Sequence, residues 1–321
     1  MTQVLMLGGT GWLSTRIAQR WRDTGAEVTC LARGARPAPE GTLLLRGDRD
    51  DPHVYDALAL RDWDEVVDIS SRADHARAAV AALGDRAAHW TYVSSVSVYA
   101  DEMTIGLDES GPLHEPAQDG EEYEYAAQKV AAEQAVSALG ERAFIVRPGL
   151  IVGDGDPSDR FGYWAAAFAR AGDGPVLTPV LADRYTQVID VDDLADYIAA
   201  EPRSGFVNAI DDPRPLAEVI DLSRSAAQHS GEVVAADDDW LEAHDVQYWM
   251  GERSLPLWLP HDMTGFARHD TTAYRASGGR ATPLEQTIRR VLADERARGL
   301  DRERRAGLRR ADELALLAQL T

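Results

Sequence analysis

Short apolar runs alternate with segments of helical periodicity through the first half of the chain. The apolar runs predict buried strands, and the amphipathic or alanine-rich segments between them predict helices. The predicted strands are 4–7, 27–31, 43–45, 65–69, 90–94 and 143–146, and the predicted helices are 12–23, 54–60, 72–83 and 121–139. Because right-handed crossovers join strands that alternate with helices, the pattern predicts an α/β fold with a doubly wound parallel sheet.

The pattern becomes less regular after Pro148. The predicted elements there are a helix at 163–171, strands at 188–189 and 206–209, a helix capped by Asp192 or Asp193 between those strands, and a charged helical segment with breaks near Gly299 and Gly307. We therefore expect three parts. They are a sheet domain (1–150 plus about 176–210), a smaller C-terminal mixed α/β substrate domain (151–175 plus 211–285) and a charged helical C-terminal extension (286–321).

Composition and charge narrow the classes of function. The chain has 321 residues, of which 45% are hydrophobic, so it can form a substantial core. Its net charge of −21 repels phosphate backbones, which argues against nucleic acid or an anionic membrane as a partner. Cys30 is the only cysteine, so no internal disulfide forms. No basic segment precedes 4–7 and no apolar run could cross a bilayer, so we expect a cytoplasmic location.

A glycine-rich loop joins the first predicted strand to the first predicted helix. Gly8 suits the tight turn, and Gly11 suits close approach of a pyrophosphate to the start of the helix. Ser14 stands where a third glycine is usual. An ordinary strand-turn-helix corner is the alternative, but the position favours a Rossmann-type dinucleotide site. Its candidate cofactor contacts are Gly8, Gly9, Thr10, Gly11, Trp12 and Leu13.

The end of the second predicted strand indicates which dinucleotide binds. A carboxylate there would bind the ribose hydroxyls of NAD, but this chain carries Arg33 and Arg36. A guanidinium binds phosphate oxygens bidentately, so we predict NADP, with NAD as the open alternative and a solvated loop arginine as the ordinary explanation. Asp48 is a candidate contact for the adenine end, or a helix cap.

Tyr125 and Lys129 are four residues apart in a predicted helix, so they share one face. A nearby ammonium lowers the pKa of a tyrosine, and such a tyrosine can exchange a proton near neutral pH. The same spacing also occurs on solvated helices, so the pair becomes informative only together with the glycine loop and the serines at the end of the fifth strand.

These motifs resemble the extended short-chain dehydrogenase/reductase superfamily, which includes NAD(P)-dependent epimerases and dehydratases. The resemblance covers most of residues 3 to 210. It rests on Gly8-Gly9-Thr10-Gly11, Ser94-Ser95-Val96-Ser97-Val98-Tyr99, Tyr125-Ala-Ala-Gln-Lys129 with Glu133, Arg147-Pro148-Gly149 and Asp190-Val191-Asp192-Asp193-Leu194-Ala195.

The resemblance implies roles for individual residues. Tyr125 would be the general acid/base, Lys129 would hold the nicotinamide ribose, and Ser95 would bond the reacting oxygen. Ser70 and Pro148 would contact the cofactor. Family members often dimerise through a bundle that includes the Tyr-Lys helix, so a homodimer is a further option.

Several positions depart from the family pattern. Val96-Ser97 replaces the acidic pair of sugar dehydratases, and Thr186 stands where nucleotide-sugar members usually carry an arginine. Arg184 would compensate only if the strand register brings it to the same face. The turn Asp68-Ile69-Ser70-Ser71 replaces an Ala/Gly-rich cofactor turn. These departures weaken the nucleotide-sugar interpretation.

The candidate substrate contacts are Ser97, Trp164, Arg184 and Trp249. The tryptophan-rich stretch 248–258 could equally be a core or a subunit contact. The eight histidines show no close metal-ligand spacing, so we predict no metal site.

Three functions remain open at the level of sequence. The first is an NADP-dependent oxidoreductase that acts on a small alcohol/carbonyl substrate. The second is an NAD(P)-dependent sugar or nucleotide-sugar epimerase, and the third is a non-enzymatic NADP-sensing or RNA-associated protein. The combination of Ser95, Tyr125 and Lys129 argues against a sensor, and the net charge argues against RNA.

Overall fold

The computed structural model describes residues 1–118 and 120–320. Its strands are β1 (Gln3–Leu7), β2 (Glu27–Ala32), β3 (Leu43–Arg46), β4 (Glu65–Asp68), β5 (Trp90–Val93), β6 (Ala143–Pro148), β7 (Leu150–Val152), β8 (Val176–Pro179), β9 (Tyr185–Thr186), β10 (Val188–Asp190), β11 (Gly205–Ala209), β12 (Arg214–Pro215), β13 (Val233–Ala236), β14 (Gln247–Tyr248) and β15 (Ser254–Leu255).

The helices are α1 (Trp12–Asp23), α2 (Ala73–Leu83), α3 (Tyr125–Ser137), α4 (Gly162–Ala171), α5 (Val191–Ile198), α6 (Leu216–Ala227), α7 (Asp238–Ala243), α8 (Thr272–Ala276), α9 (Leu284–Arg298) and α10 (Arg310–Leu320). None of the helices in the described residues is long and apolar enough to cross a membrane.

Seven parallel strands form the central sheet, in the order β11-β6-β5-β4-β1-β2-β3. Helices α1 and α5 pack together on one face and α2 and α3 on the other, because each presents an apolar stripe to the strands. The predicted doubly wound α/β fold is thereby confirmed. The strand order changes direction between β1 and β4, which is where a crevice opens at the carboxyl edge of such a sheet.

Three local predictions differ from the structure. Residues 54–60 form turns with a single 3-10 turn at Leu58–Leu60, and the Trp63 indole donates to the Leu58 carbonyl at 3.1 Å. Helix α3 begins only at Tyr125. Helix α5 is capped by Asp190, whose carboxylate accepts the Asp192 N–H at 2.9 Å, so the prediction of Asp192 or Asp193 as the cap is wrong.

A second core forms outside the central sheet, where α4, α6 and α9 pack against one another beside the parallel pair β8–β13. Leu284, Ile288, Val291 and Leu317 are buried in the same cluster as Trp164. The C-terminal segment is therefore part of this core instead of the separate extension we expected. The breaks near Gly299 and Gly307 do occur, since α9 ends at Arg298 and α10 begins at Arg310.

Candidate active site

The glycine loop follows β1 and ends where α1 begins. Gly8 has a φ of +88°, a left-handed conformation that glycine adopts without strain. A Cβ on Gly9 would lie 2.6 Å from the Cβ of Cys30, so this glycine is needed for close packing on β2. The Ser14 hydroxyl donates to the Gly8 carbonyl at 2.7 Å. Serine thus closes the loop at the position where a third glycine is usual.

A groove of about 570 Å³ runs from this loop across the carboxyl ends of β2, β3 and β4. It brings together most of the predicted cofactor contacts, namely Gly8, Thr10, Gly11, Arg33, Arg36, Asp48 and Ser70. The other members of the predicted set lie elsewhere. The Leu13 side chain is buried in the core, Gly9 packs on Cys30, and Trp12 and Pro148 line the neighbouring cleft.

Arginines surround the β2–β3 end of the groove. Arg33 and Arg36 are exposed, and in the described part of the chain neither has a hydrogen-bond or ion-pair partner. Arg46, which the sequence pattern did not single out, lies against Gly34, where an added Cβ would be 3.2 Å from its Nε atom. Three cations are therefore available where the 2′ position of an adenine ribose would lie.

The carboxylate of Asp68, at the turn that ends β4, forms an ion pair with Arg49. Asp68 is fully buried, and Arg49 donates to its two carboxylate oxygens at 2.8 and 2.9 Å. Arg49 also donates to the Tyr55 hydroxyl at 2.8 Å, and Asp68 accepts the Ser70 N–H at 2.9 Å. Arg49 was missed by sequence reasoning because nothing local links it to Asp68, which lies 19 residues further on. The pair fixes the Ser70 turn at the edge of the groove.

Asp50, Asp74 and His75 could approach one metal ion at the rim of the groove, in contrast to the scattered histidines seen in the sequence. Arg72 pairs with both carboxylates, at 2.8 Å for Asp50. The negative charge of this cluster is thus already balanced by a cation of the chain, as in a surface ion-pair network.

Ser95 and Tyr125 line a second cleft, of about 470 Å³, together with Ser97 and Pro148. Ser95 follows β5 and caps a short 3-10 turn, because its Oγ accepts the Ser97 N–H at 3.1 Å. Tyr125 is the first residue of α3 and is 39% exposed. Both residues therefore occupy the end of a regular element, at the carboxyl edge of the sheet.

Lys129 lies one turn behind Tyr125, but it does not act on the phenol as predicted. Its ammonium is buried and donates to the carbonyls of Ser70 and Val93, both at 2.7 Å, and lies 5.9 Å from the centre of the Tyr125 ring. Burial lowers the pKa of Lys129 to about 8.

Desolvation of its hydroxyl in the cleft raises the pKa of Tyr125, and the neighbouring Ser95 hydroxyl only partly opposes this effect. The expected lowering by Lys129 is therefore wrong for this structure. The phenol form of Tyr125 is therefore favoured over the phenolate, and the positive charge that favours the phenolate comes from Arg160.

The opposite wall of the cleft carries residues that the sequence pattern did not identify, except for Trp249. The Arg160 guanidinium lies over the Trp249 ring, 5.1 Å from its centre, and the Trp249 ring meets Phe266 edge to face at 5.8 Å. Asp156 and Gln187 also line this wall. The turn-rich break at 153–157 was the only available signal, and it marked a loop without indicating which residues face the cleft.

Comparisons with known proteins identify the family. Residues 4–201 match the family model described as "NAD dependent epimerase/dehydratase family". The chain belongs to this family. A bovine protein named "Epimerase family protein SDR39U1" is 26% identical over 227 residues, which is 65% of this chain and 72% of that protein.

Two solved epimerase-type structures share the fold. A Burkholderia cenocepacia protein, described only provisionally as an epimerase, has a TM-score of 0.72 and 22% identity, over 92% of this chain and 98% of that one. A Thermotoga maritima UDP-glucose 4-epimerase, solved with UDP-glucose, has a TM-score of 0.70 and 12% identity, over 92% and 99% of the two chains.

The dinucleotide that the epimerase/dehydratase family requires fits the residues present. The groove has a glycine cradle and unpaired arginines, and it leads to Ser94 at the floor of the cleft. The Ser94 hydroxyl is buried and has no hydrogen-bond partner among the described residues, as expected where a bound group supplies one. NAD(P) bound there would be held by the glycine loop and the Ser70 turn.

Two predicted substrate contacts lie outside the cleft. Trp164 is fully buried in the second core, where its indole donates to the Pro256 carbonyl at 2.7 Å, so the residue has a packing role. Arg184 donates to the carbonyls of Val180 and Leu259 and pairs with Asp238. These partners do not line the cleft, so Arg184 does not compensate for Thr186, which itself lines the cleft.

Proposed function

We propose that the protein is an NADP-dependent epimerase that acts on a secondary alcohol of a sugar-like substrate, with Tyr125 as the group that takes and returns the proton. The observation that carries the proposal is that Ser95 and Tyr125 line one cleft, and that Trp12 of this cleft directly follows Gly11 of the neighbouring groove. Membership of the epimerase/dehydratase family supports the same choice.

Ser95 and Tyr125 can perform the proton half of the reaction. Bound NAD(P) supplies a carbon that accepts and returns hydride. Tyr125 would act in its phenolate form, taking the hydroxyl proton as the alcohol loses hydride and becomes a carbonyl, and Ser95 would donate a hydrogen bond to the same oxygen. In the reverse step Tyr125 returns the proton. If the carbonyl compound is rotated before that step, the configuration at carbon is inverted.

A net oxidoreductase acting on a small alcohol or carbonyl compound is the second candidate. The raised pKa of Tyr125 keeps it in the phenol form, which donates a proton to a carbonyl oxygen during reduction. An epimerase must also retain its oxidised substrate while the carbonyl compound rotates to present its other face to the cofactor. A nucleotide diphosphate would be a strong anchor for this, but Thr186 offers no charge and, among the described residues, Arg160 is the only unpaired arginine that lines the cleft.

The test is Tyr125→Phe, with Tyr123→Phe as its matched control. Tyr123 is a neighbouring phenol that is 54% exposed and lines a different surface groove. With NADP-loaded protein and a panel of sugars and small ketones, we expect Tyr125→Phe to lower turnover by about 10²- to 10⁴-fold, the usual contribution of a positioned acid/base group. Equal turnover by the two variants would contradict the proposal.

Product analysis separates the two candidates. An epimerase interconverts two sugars with no lasting change in NADPH absorbance, whereas an oxidoreductase consumes NADPH in proportion to product. Consumption of NADPH without any epimer would favour the second candidate and leave the role of Tyr125 intact.

Preference for NADP is proposed on the strength of Arg33, Arg36 and Arg46. We expect Arg33→Ser combined with Arg36→Ser to weaken NADPH binding by about ten-fold or more and to leave NADH binding within about two-fold, because only NADPH carries the 2′-phosphate. Fluorescence titration of both cofactors measures this. Parallel losses for NADPH and NADH would contradict it.

A further inference from the structure

The Arg160 guanidinium makes no hydrogen bond and no ion pair with any described residue. It lies over the face of Trp249, which holds the planar group but leaves its N–H donors unused among the described residues. Burial lowers the pKa of Arg160 from its ordinary value, although the arginine stays charged. A partly buried cation with unused donors inside an active-site cleft is arranged to receive an anion from the ligand.

Asp156 lines the same cleft and its charge raises the pKa of Arg160, but the two side chains form no ion pair. Its carboxylate accepts the Ser158 N–H and the Ser158 hydroxyl, both at 2.8 Å, so the acid is directed towards its own loop. Its negative charge still acts on the neighbourhood, and this limits how much further negative charge the cleft accepts. A ligand group with a single charge fits better than a phosphate dianion.

The rest of the cleft limits the shape of the ligand. Trp249, Phe266 and Met250 give the cleft an apolar surface around Arg160, while Ser95 and Tyr125 provide polar groups of the same cleft. A substrate with its reacting hydroxyl at Tyr125 can therefore place a carboxylate at Arg160 within the same cavity of about 470 Å³.

We propose that Arg160 binds a carboxylate of the substrate, which makes the substrate a hydroxy acid: a secondary alcohol that carries one carboxylate and no nucleotide. The inference rests on the proposed function, because it places the reacting hydroxyl at Tyr125. It also supplies the anchor that an epimerase needs, since a bidentate Arg–carboxylate pair holds one end of the molecule.

Binding measurements on the NADP-loaded protein test the inference. D-Glucuronate, L-lactate, D-glucose and glucose 6-phosphate serve as probes in ligand-detected NMR, because glucuronate and glucose differ only in the carboxylate. We expect glucuronate to bind at least ten-fold more tightly than glucose. Arg160→Gln should remove this preference, and Arg160→Lys should keep part of it, because lysine retains the charge but not the planar pair of donors. Arg289→Gln removes the same charge at a site on α9 that is 65% exposed, and we expect no change from it.

Each outcome decides between the two proposals. Lack of saturable binding of both carboxylates, an undiminished preference in Arg160→Gln, or tighter binding of glucose 6-phosphate overturns the carboxylate site. If that happens while Tyr125→Phe still abolishes turnover, the proposed function stands without it. If Tyr125→Phe keeps full turnover, the proposed function fails whatever Arg160 binds.

Discussion

One side of the cleft is formed by regular secondary structure and the other by loops. Ser95 and Tyr125 lie at the ends of β5 and α3, on elements fixed by the central sheet. Arg160 and Trp249 lie in loops, next to or at residues with left-handed backbone, with φ of +61° at Asp159 and +63° at Trp249. The wall to which we assign proton transfer is thus set by regular structure, and the wall that we propose faces the rest of the substrate is set by loops. Chains of this fold can therefore keep one chemistry and exchange substrates.

The first prediction concerns the stability of the elements that carry Ser95 and Tyr125. Arg147 on β6 donates to both carboxylate oxygens of Glu133 on α3, at 2.9 and 2.7 Å, and both side chains are buried. Glu133→Ala leaves the guanidinium buried and unpaired, so we expect a loss of about 3–5 kcal/mol in the free energy of unfolding. Urea denaturation measures it. Glu285→Ala, which breaks the exposed Glu285–Arg289 pair, should cost less than about 1 kcal/mol. Comparable losses of unfolding free energy in the two variants would contradict the prediction that the buried pair matters more than the exposed one.

The second prediction addresses the loop wall. The Asp159 carboxylate accepts the Arg305 N–H at 2.9 Å and pairs with Arg298 at 3.1 Å and with Arg302, so the C-terminal segment holds the residue next to Arg160. Asp159→Asn tolerates the left-handed backbone but loses the charge. We expect KM to rise by about ten-fold, kcat to stay within about three-fold, and NADPH affinity to be unchanged, since a uniform loss of substrate binding acts on KM.

Asp245→Asn is the control for this variant. Asp245 has a φ of +56°, is exposed, and lies away from the cleft, so its kinetics should match those of the unmodified protein. If Asp159→Asn instead lowers kcat and leaves KM unchanged, the loop contributes to the chemical step and not to substrate binding.

The third and smallest prediction concerns pH. The pKa of Lys129 is lowered by burial from 10.5 to about 8, so between these values the unfolded chain binds a proton that the folded protein has released. The contribution of Lys129 to stability therefore rises as pH increases from about 8 to 10.5. We expect the Tm of the unmodified protein to increase relative to that of Lys129→Met as the pH rises over that range. A difference that is flat or falls with pH would show that Lys129 keeps its proton when folded.

The sequence indicates where residues at the ends of strands and helices lie, but it does not indicate which loop residues face the cleft. Gly8, Ser95 and Tyr125 follow strands or begin helices, so local spacing fixes their place at the edge of the sheet. Arg160 follows an irregular segment whose side-chain directions depend on the contacts that Asp159 makes with Arg302 and Arg298, which are distant in the sequence.

The wrong expectations have the same origin. Arg184 was assigned by strand register, but its guanidinium donates to the Val180 carbonyl and pairs with Asp238. Lys129 was assigned by helix spacing, which shows that two residues share a face but does not show that the ammonium turns to the carbonyls of Ser70 and Val93. Trp164 was assigned by position alone, and an aromatic residue on a short apolar helix packs equally well inside.

Lys129 is the only lysine in the 321 residues, so the buried ammonium behind Tyr125 is also the only side-chain amine. An amine-selective acylating reagent therefore has one side chain with which to react. A pKa near 8 would make that amine nucleophilic in mildly alkaline buffer, while its burial restricts access. Mass spectrometry of singly labelled protein can therefore report, without any substrate, how often the region behind Tyr125 opens to solvent and whether an added dinucleotide protects it.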